Sequence, residues 1–174
     1  MRNQGSKHRY FHVVVCFTIL LLKNTSAETP RVLLDGNPAG QGIAPVTTTV
    51  IPGEKILVAV CAENVELMHS YSVKCSFNSD IVVFEGGAAT LSPLTPAFLE
   101  SAKGKIAAFL AIPGNGTVEI AATQTGKNPA AAVTGSGILG YLSFTAKAGG
   151  DPGIALIDAR LVDPEGTTTI ATVK

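Results

Sequence analysis

From residue 29 onward, apolar and polar residues alternate with a period of two, and no 3.6-residue period is sustained for long. That rhythm predicts strands at 31–35, 47–51, 55–62, 70–77, 81–85, 105–111, 117–123, 137–148, 154–162 and 168–173. Turn formers separate them: Pro52-Gly53-Glu54, Asn78-Ser79-Asp80, Pro113-Gly114-Asn115-Gly116, Gly149-Gly150-Asp151-Pro152-Gly153 and Asp163-Pro164-Glu165-Gly166. Residues 96–102 (PAFLESA) suit one short helical turn, and residues 124–135 read as a flexible loop. Short strands at this spacing predict an all-β chain, an antiparallel β-sandwich of jelly-roll type with about nine strands.

Alternation also assigns faces. Ile56, Val58 and Val60 point one way, which turns Cys61 the other way. Tyr71, Val73, Cys75 and Phe77 share a face that should be the core face, leaving Ser70, Ser72 and Lys74 directed outward. Leu139, Tyr141, Phe144, Ala146 and Ala148 are expected in the layer between the sheets, where a tyrosine hydroxyl needs a partner or the rim.

The first 27 residues follow a different rule. Arg2, Lys7, His8 and Arg9 open the chain, residues 13–22 (VVVCFTILLL) are apolar, and Thr25-Ser26-Ala27 supplies small residues for cleavage. This is the layout of an export signal removed after Ala27. The apolar run is about half the ~20 residues a membrane-spanning helix requires, which argues against a retained anchor. Residues 1–27 are therefore expected to be a cleaved signal peptide and residues 28–174 a single secreted domain.

Losing the signal removes four of the 13 basic residues (Arg2, Lys7, Arg9 and Lys23) and none of the 13 acidic ones, which leaves nine positive charges against 13 negative. A mildly acidic surface without a Lys/Arg cluster argues against nucleic acid and anionic lipid as partners. Cys61 and Cys75 remain. Export permits a disulfide between them, whereas the predicted faces put the two thiols on opposite sides of a sheet, where a free Cys packs as a small hydrophobe.

Catalytic and metal chemistry finds little support. One remaining histidine, His69, and two separated cysteines do not compose a zinc site. No G-x-S-x-G nucleophile turn and no D-x-D-x-D-G calcium loop occur. Acidic residues fall mostly at turns, where their side chains bond to the backbone. No cofactor, no resident metal and no enzymatic activity are expected. The remaining chain has no Trp, and its Phe and Tyr fall at apolar-face positions, so an aromatic platform for sugars is not expected either. Asn115-Gly116-Thr117 fits an N-glycosylation acceptor, which matters only in a host that glycosylates.

Four segments, in order, resemble the cohesin family. Residues 46–62 (VTTTVIPGEKILVAVCA) are similar to its opening strand, PGD/PGE turn and VxVxV strand. Residues 71–85 (YSVKCSFNSDIVVFE) resemble F-x-L-x-Y-D-P-x-V-L-E, with Phe77-Asn78-Ser79-Asp80-Ile81-Val82 where Tyr-Asp-Pro-x-Val-Leu is usual. Residues 137–150 (GILGYLSFTAKAGG) resemble G-x-L-x-x-L-x-F-x-A-K-A-x-G, and residues 156–170 (LIDARLVDPEGTTTI) resemble the closing L-x-D-x-x-G-x-x-I. Cohesins are sandwich modules that bind dockerins in cellulose-degrading assemblies. The resemblance implies a non-catalytic binding module whose partner, a dockerin-type module carrying its own calcium, lies across one sheet face. Matched onto this chain, that face holds Ser70, Ser72 and Lys74, with Leu110 flanking them on a neighbouring strand. The alternative is a sandwich that shares the fold but binds polysaccharide, or adheres to surfaces, without a dockerin partner.

Overall fold

The computed structural model describes residues 28–173. The expected signal peptide at 1–27 lies outside them. Ten strands form two five-stranded sheets. The first has the order β10-β1-β2-β7-β4, built from β1 (Arg31–Asp35), β2 (Lys55–Met68), β4 (Val82–Ala88), β7 (Val133–Ala146) and β10 (Thr172–Val173). The second has the order β5-β6-β3-β8-β9, built from β3 (Ser70–Ser76), β5 (Ile106–Gly114), β6 (Thr117–Gln124), β8 (Ala155–Val162) and β9 (Thr168–Ile170). Every pairing is antiparallel except β1 with β10, which is parallel. The all-β sandwich is thus the observed architecture, and a 3-10 turn at Phe98–Glu100 falls inside the segment expected to coil.

Strands β2, β5 and β7 run beyond their predicted bounds, to Met68, to Gly114 through part of the expected 113–116 turn, and back to Val133, and two other predicted strands do not form as expected. Residues 47–51 make only one isolated bridge, Val50 to Gly150. The segment at 168–173 divides at Ala171, which is buried, so that its halves serve opposite sheets. A single apolar residue there inserts between the layers while its neighbours on either side stay exposed.

The core lies where the alternation put it. Ile56, Val58, Val60 and Ala62 of β2 face Tyr71, Val73 and Cys75 of β3, all buried. Phe144 stands at the centre, edge-to-face with Phe77 at 5.4 Å and with Phe84 at 5.5 Å between ring centroids. Strand β2 is buried on both faces: its inner side meets the core, and on the outside Ala59 and Cys61 pack under Leu33 of β1 and Ile138 and Tyr141 of β7. Both cysteines are free, Cys61 in that outer cluster and Cys75 in the core, on the opposite sides expected from the two strands' phases.

Tyr141 departs from expectation. The β2–β7 register steps from Val60↔Gly140 to Cys61↔Ile138, so Leu139 is an extra residue on β7. This bulge reverses the phase only before Gly140; Tyr141 stands three residues from the inward Phe144 and is outward by regular alternation. Leu139 and Leu142 both point inward, and Tyr141 turns out to the small outer cluster rather than into the inter-sheet layer. The inter-sheet tyrosine is Tyr71, whose hydroxyl donates to the Leu139 carbonyl of the other sheet. Ala148 lies beyond the end of β7, half-buried.

The turn acids serve the backbone. The Asn78 side-chain carbonyl accepts from the Asp80 N–H at 3.0 Å, and the Asp163 carboxylate accepts from the Thr167 N–H at 2.7 Å. His69 joins β2 to β3 and shares a 3.2 Å hydrogen bond with the Gln124 carboxamide. Gln124 is buried, and its amide donates to the Leu99 carbonyl and, at 2.7 Å, to the Ala131 carbonyl. That side chain ties the 3-10 turn at Phe98–Glu100 and a second one at Pro129–Ala131 to β6, so residues 124–135, expected as a flexible loop, are held at Ala131 and enter β7 at Val133.

Candidate partner-binding face

The second sheet turns an open face away from the core. Strand β3 is its middle strand, and period-2 alternation buries Tyr71, Val73 and Cys75 while leaving Ser70, Ser72 and Lys74 on the outside. Lys74 is exposed and the two serines are half-buried. The register then dictates what stands beside them. Ser72 pairs with Ala121 of β6 and with Arg160 of β8. Beyond Ala121 comes Leu110, and beyond Arg160 comes Ile170. A parallel row runs Ile112, Glu119, Lys74, Asp158. The four residues expected from the sequence therefore share one face. Leu110, however, is not on a strand adjacent to β3, because β6 lies between them.

The face has a polar centre and apolar margins. The Ser72 hydroxyl donates to the Glu119 carboxylate, and Arg160 Nε donates to the Asp158 carboxylate at 2.9 Å. Lys74 stands cross-strand from both Glu119 and Asp158. Two cations and two carboxylates thus alternate across the middle, with no net charge. At the β5 margin Leu110 and Ile112 are each 53% exposed, and at the β8–β9 margin Ile157 and Ile170 are 49% and 73% exposed. Four large aliphatic side chains half or more in water on one face are a reservoir of binding energy, since completing the burial of each stabilises by roughly 1–2 kcal/mol.

Sequence reasoning missed most of these margins. Ile157 is outward only because β8 bulges opposite Lys74 and Cys75, which puts two residues where regular pairing has one. Arg160 follows the alternation of its predicted strand, whereas Ile112 lies beyond the predicted 105–111, and the place of both beside Ser72 depends on strand order.

Other chemistry is sparse. Among the described residues no group of three or more His, Cys, Asp or Glu could hold a metal ion, and no helix is long and apolar enough to cross a membrane. Burial pushes the Cys75 thiol up to about 12, and burial, reinforced by the Asp35 and Glu63 charges, pushes Cys61 up to about 11. Both thiols are therefore protonated near neutrality and poor nucleophiles. Among the described aromatic residues Tyr71 and Phe144 are buried, and Phe77, Phe84, Phe98, Phe109 and Tyr141 are half-buried. Asn115 is exposed at the β5–β6 turn.

The architecture is a two-sheet, largely antiparallel β-sandwich with one open face. No protein-family model and no curated protein matches the chain. Solved structures do. The sixth cohesin of scaffoldin B from Acetivibrio cellulolyticus, in complex with a Cel5 dockerin mutant, is similar at TM-score 0.60 and 12% identity, over 84% of this chain and 94% of that one. A cohesin module from a family 33 glycoside hydrolase of Clostridium perfringens is similar at TM-score 0.59 and 11% identity, over 84% and 92%. A non-cellulosomal cohesin of the archaeon Archaeoglobus fulgidus is similar at TM-score 0.54 and 13% identity, over 83% and 85%. The chain has a cohesin-like fold.

Proposed function

We propose that this chain is an exported, non-catalytic binding module whose β5-β6-β3-β8-β9 face receives a dockerin-type protein module that carries its own calcium. The observation that carries the reading is the face itself. Leu110, Ile112, Ile157 and Ile170 frame a charge-balanced centre of Lys74, Glu119, Asp158 and Arg160. Protein interfaces combine apolar contact with a few fixed polar groups in this way, and no described Phe or Tyr is fully exposed as a stacking platform for sugars. The cohesin-like fold supports the choice of partner, since similar cohesins were solved with dockerins bound.

The partner sits across the sheet so that Ser72, beside the small Ala121, receives its closest approach, while Leu110 contributes apolar contact at the margin. Leu110→Ala is expected to weaken binding about five- to tenfold, the ~1–1.4 kcal/mol of a half-exposed leucine brought to full burial. Ser72→Arg places a long cation in the centre and should weaken it at least about tenfold. Binding is measured by calorimetry against partners captured from the source culture supernatant with and without calcium, with circular dichroism confirming that both variants fold. Wild-type affinity in both variants would overturn the assignment of the face. Capture of polysaccharide with no protein would replace this reading by a carbohydrate-binding or adhesive one.

A further inference from the structure

The two sheets have four edges, and three of them are blunted. β9 has three residues and β10 has two. β4 carries Glu85, the pair Gly86-Gly87 and a bulge between Phe84 and Gly86. Each device discourages a further strand from adding. β5 has a bulge at Ala107 and a proline at 113, but the five residues between them, 108–112, hold no charge, glycine or proline. It runs nine residues as IAAFLAIPG, without a charge. The Ile106 N–H donates to the Glu100 carboxylate at 3.2 Å, and from Ala108 to Gly114 nothing bonds to the outer side among the described residues.

The register tells which backbone groups are open. Pro113 pairs with Val118 but has no N–H, so its nitrogen turns away from β6. Alternation turns Ala111 and Phe109 the same way, which leaves their N–H and C=O groups aimed off the sheet. The open stretch has a stop at each end. Pro113 cannot donate, and Ala107 is the unpaired residue of a bulge between Ile106 and Ala108.

We propose that β5 pairs antiparallel with β5 of a second copy of this chain, about a two-fold axis at Leu110. That register alone sets the two stops opposite each other, Pro113 against Ala107 of the other copy. Phe109 and Ala111 then exchange four backbone hydrogen bonds across the axis. On the outer face Leu110 meets its own counterpart, and the large Ile112 meets the small Ala108. Leu110 and Ile112 are both 53% exposed and would lose water there. No charge in either strand opposes another. The product is one ten-stranded sheet whose two outer faces look the same way. Where the dockerin reading also holds, two partner sites would stand side by side on it, but the pairing does not rest on that reading.

The test is sedimentation equilibrium of the purified protein over a wide concentration range, with amide hydrogen exchange at low and high concentration. The expected result is a mass rising from one chain to two, with Phe109 and Ala111 amides protected only at high concentration. Ala111→Pro removes one outward donor without touching a bond to β6, and Ala108→Lys sets a cation against Ile112 of the other copy. Each should weaken self-association at least about tenfold. Ala108→Lys carries the test if Ala111→Pro fails to fold. A wild-type protein that stays monomeric, a dimer whose Phe109 and Ala111 amides stay unprotected, or a dimer that persists in the folded variants would overturn the proposal.

Discussion

Tyr71→Phe is the sharpest probe of how the two sheets are locked. The substitution removes one oxygen and nothing else. Tyr71 is 3% exposed and lies on β3, while its hydroxyl donates to the Leu139 carbonyl on β7, in the opposite sheet. Leu139 is the bulged residue of β7 and has no partner on β2, so a side chain from across the core serves its carbonyl. Deleting the hydroxyl leaves a buried acceptor without that donor, which costs about 1–3 kcal/mol. For a domain of this size the melting temperature should fall by about 2–4 °C per kcal/mol. Urea unfolding followed by circular dichroism gives the free energy, and an unchanged m-value would confirm that the unfolded state is not responsible. Tyr141→Phe is the control, because Tyr141 lies half-buried in the outer cluster, and its loss should stay within about 0.5 kcal/mol. A Tyr71→Phe loss no larger than that of the control would refute the argument that this hydroxyl ties the layers together.

Other consequences follow from buried groups. The thiols of Cys75 and Cys61 are raised from 9.0 to about 12 and about 11, and burial raises Tyr71 as well. The unfolded chain releases these protons first as pH rises, so the stabilisation is complete below about pH 9 and is lost above it, by up to ~1.4 kcal/mol per pH unit for each thiol. Denaturant titrations at increasing pH should show this decline, and Cys75→Ala should make it shallower; a flat profile between roughly pH 8 and 11 would contradict it. Gln124→Leu leaves the Leu99 and Ala131 carbonyls without their shared donor, and should cost about 1–3 kcal/mol with faster amide exchange in both 3-10 turns. Unchanged exchange there would show that Gln124 does not hold them.

Much of this protein was legible in its sequence because a strand's pleat has a period of two and burial selects one phase. The core faces of β2 and β3, the opposite placement of Cys61 and Cys75, and the outward set Ser70, Ser72 and Lys74 all follow from alternation alone. The Asn78 and Asp163 turns were equally local, since their side chains bond within four residues. Alternation failed where a strand gains a residue. The bulge at Leu139 brought that side chain inward, and the bulge in β8 brought Ile157 to the open face. Nothing in the local pattern marks such a step, because the partner strand decides it. Pairing also decided that residues 47–51 form no ladder and that 168–173 serves both sheets.

The candidate face divides along the same line. Which side chains of β3 point outward is a property of seven consecutive residues. That Leu110 and Ile112 stand on one side of them and Arg160 and Ile170 on the other depends on the order β5-β6-β3-β8-β9. The free edge of β5 depends on it too, because a segment becomes an edge only when no other strand takes the place beside it. Alternation along one segment determined the faces, and contacts between segments far apart in the chain determined what those faces carry.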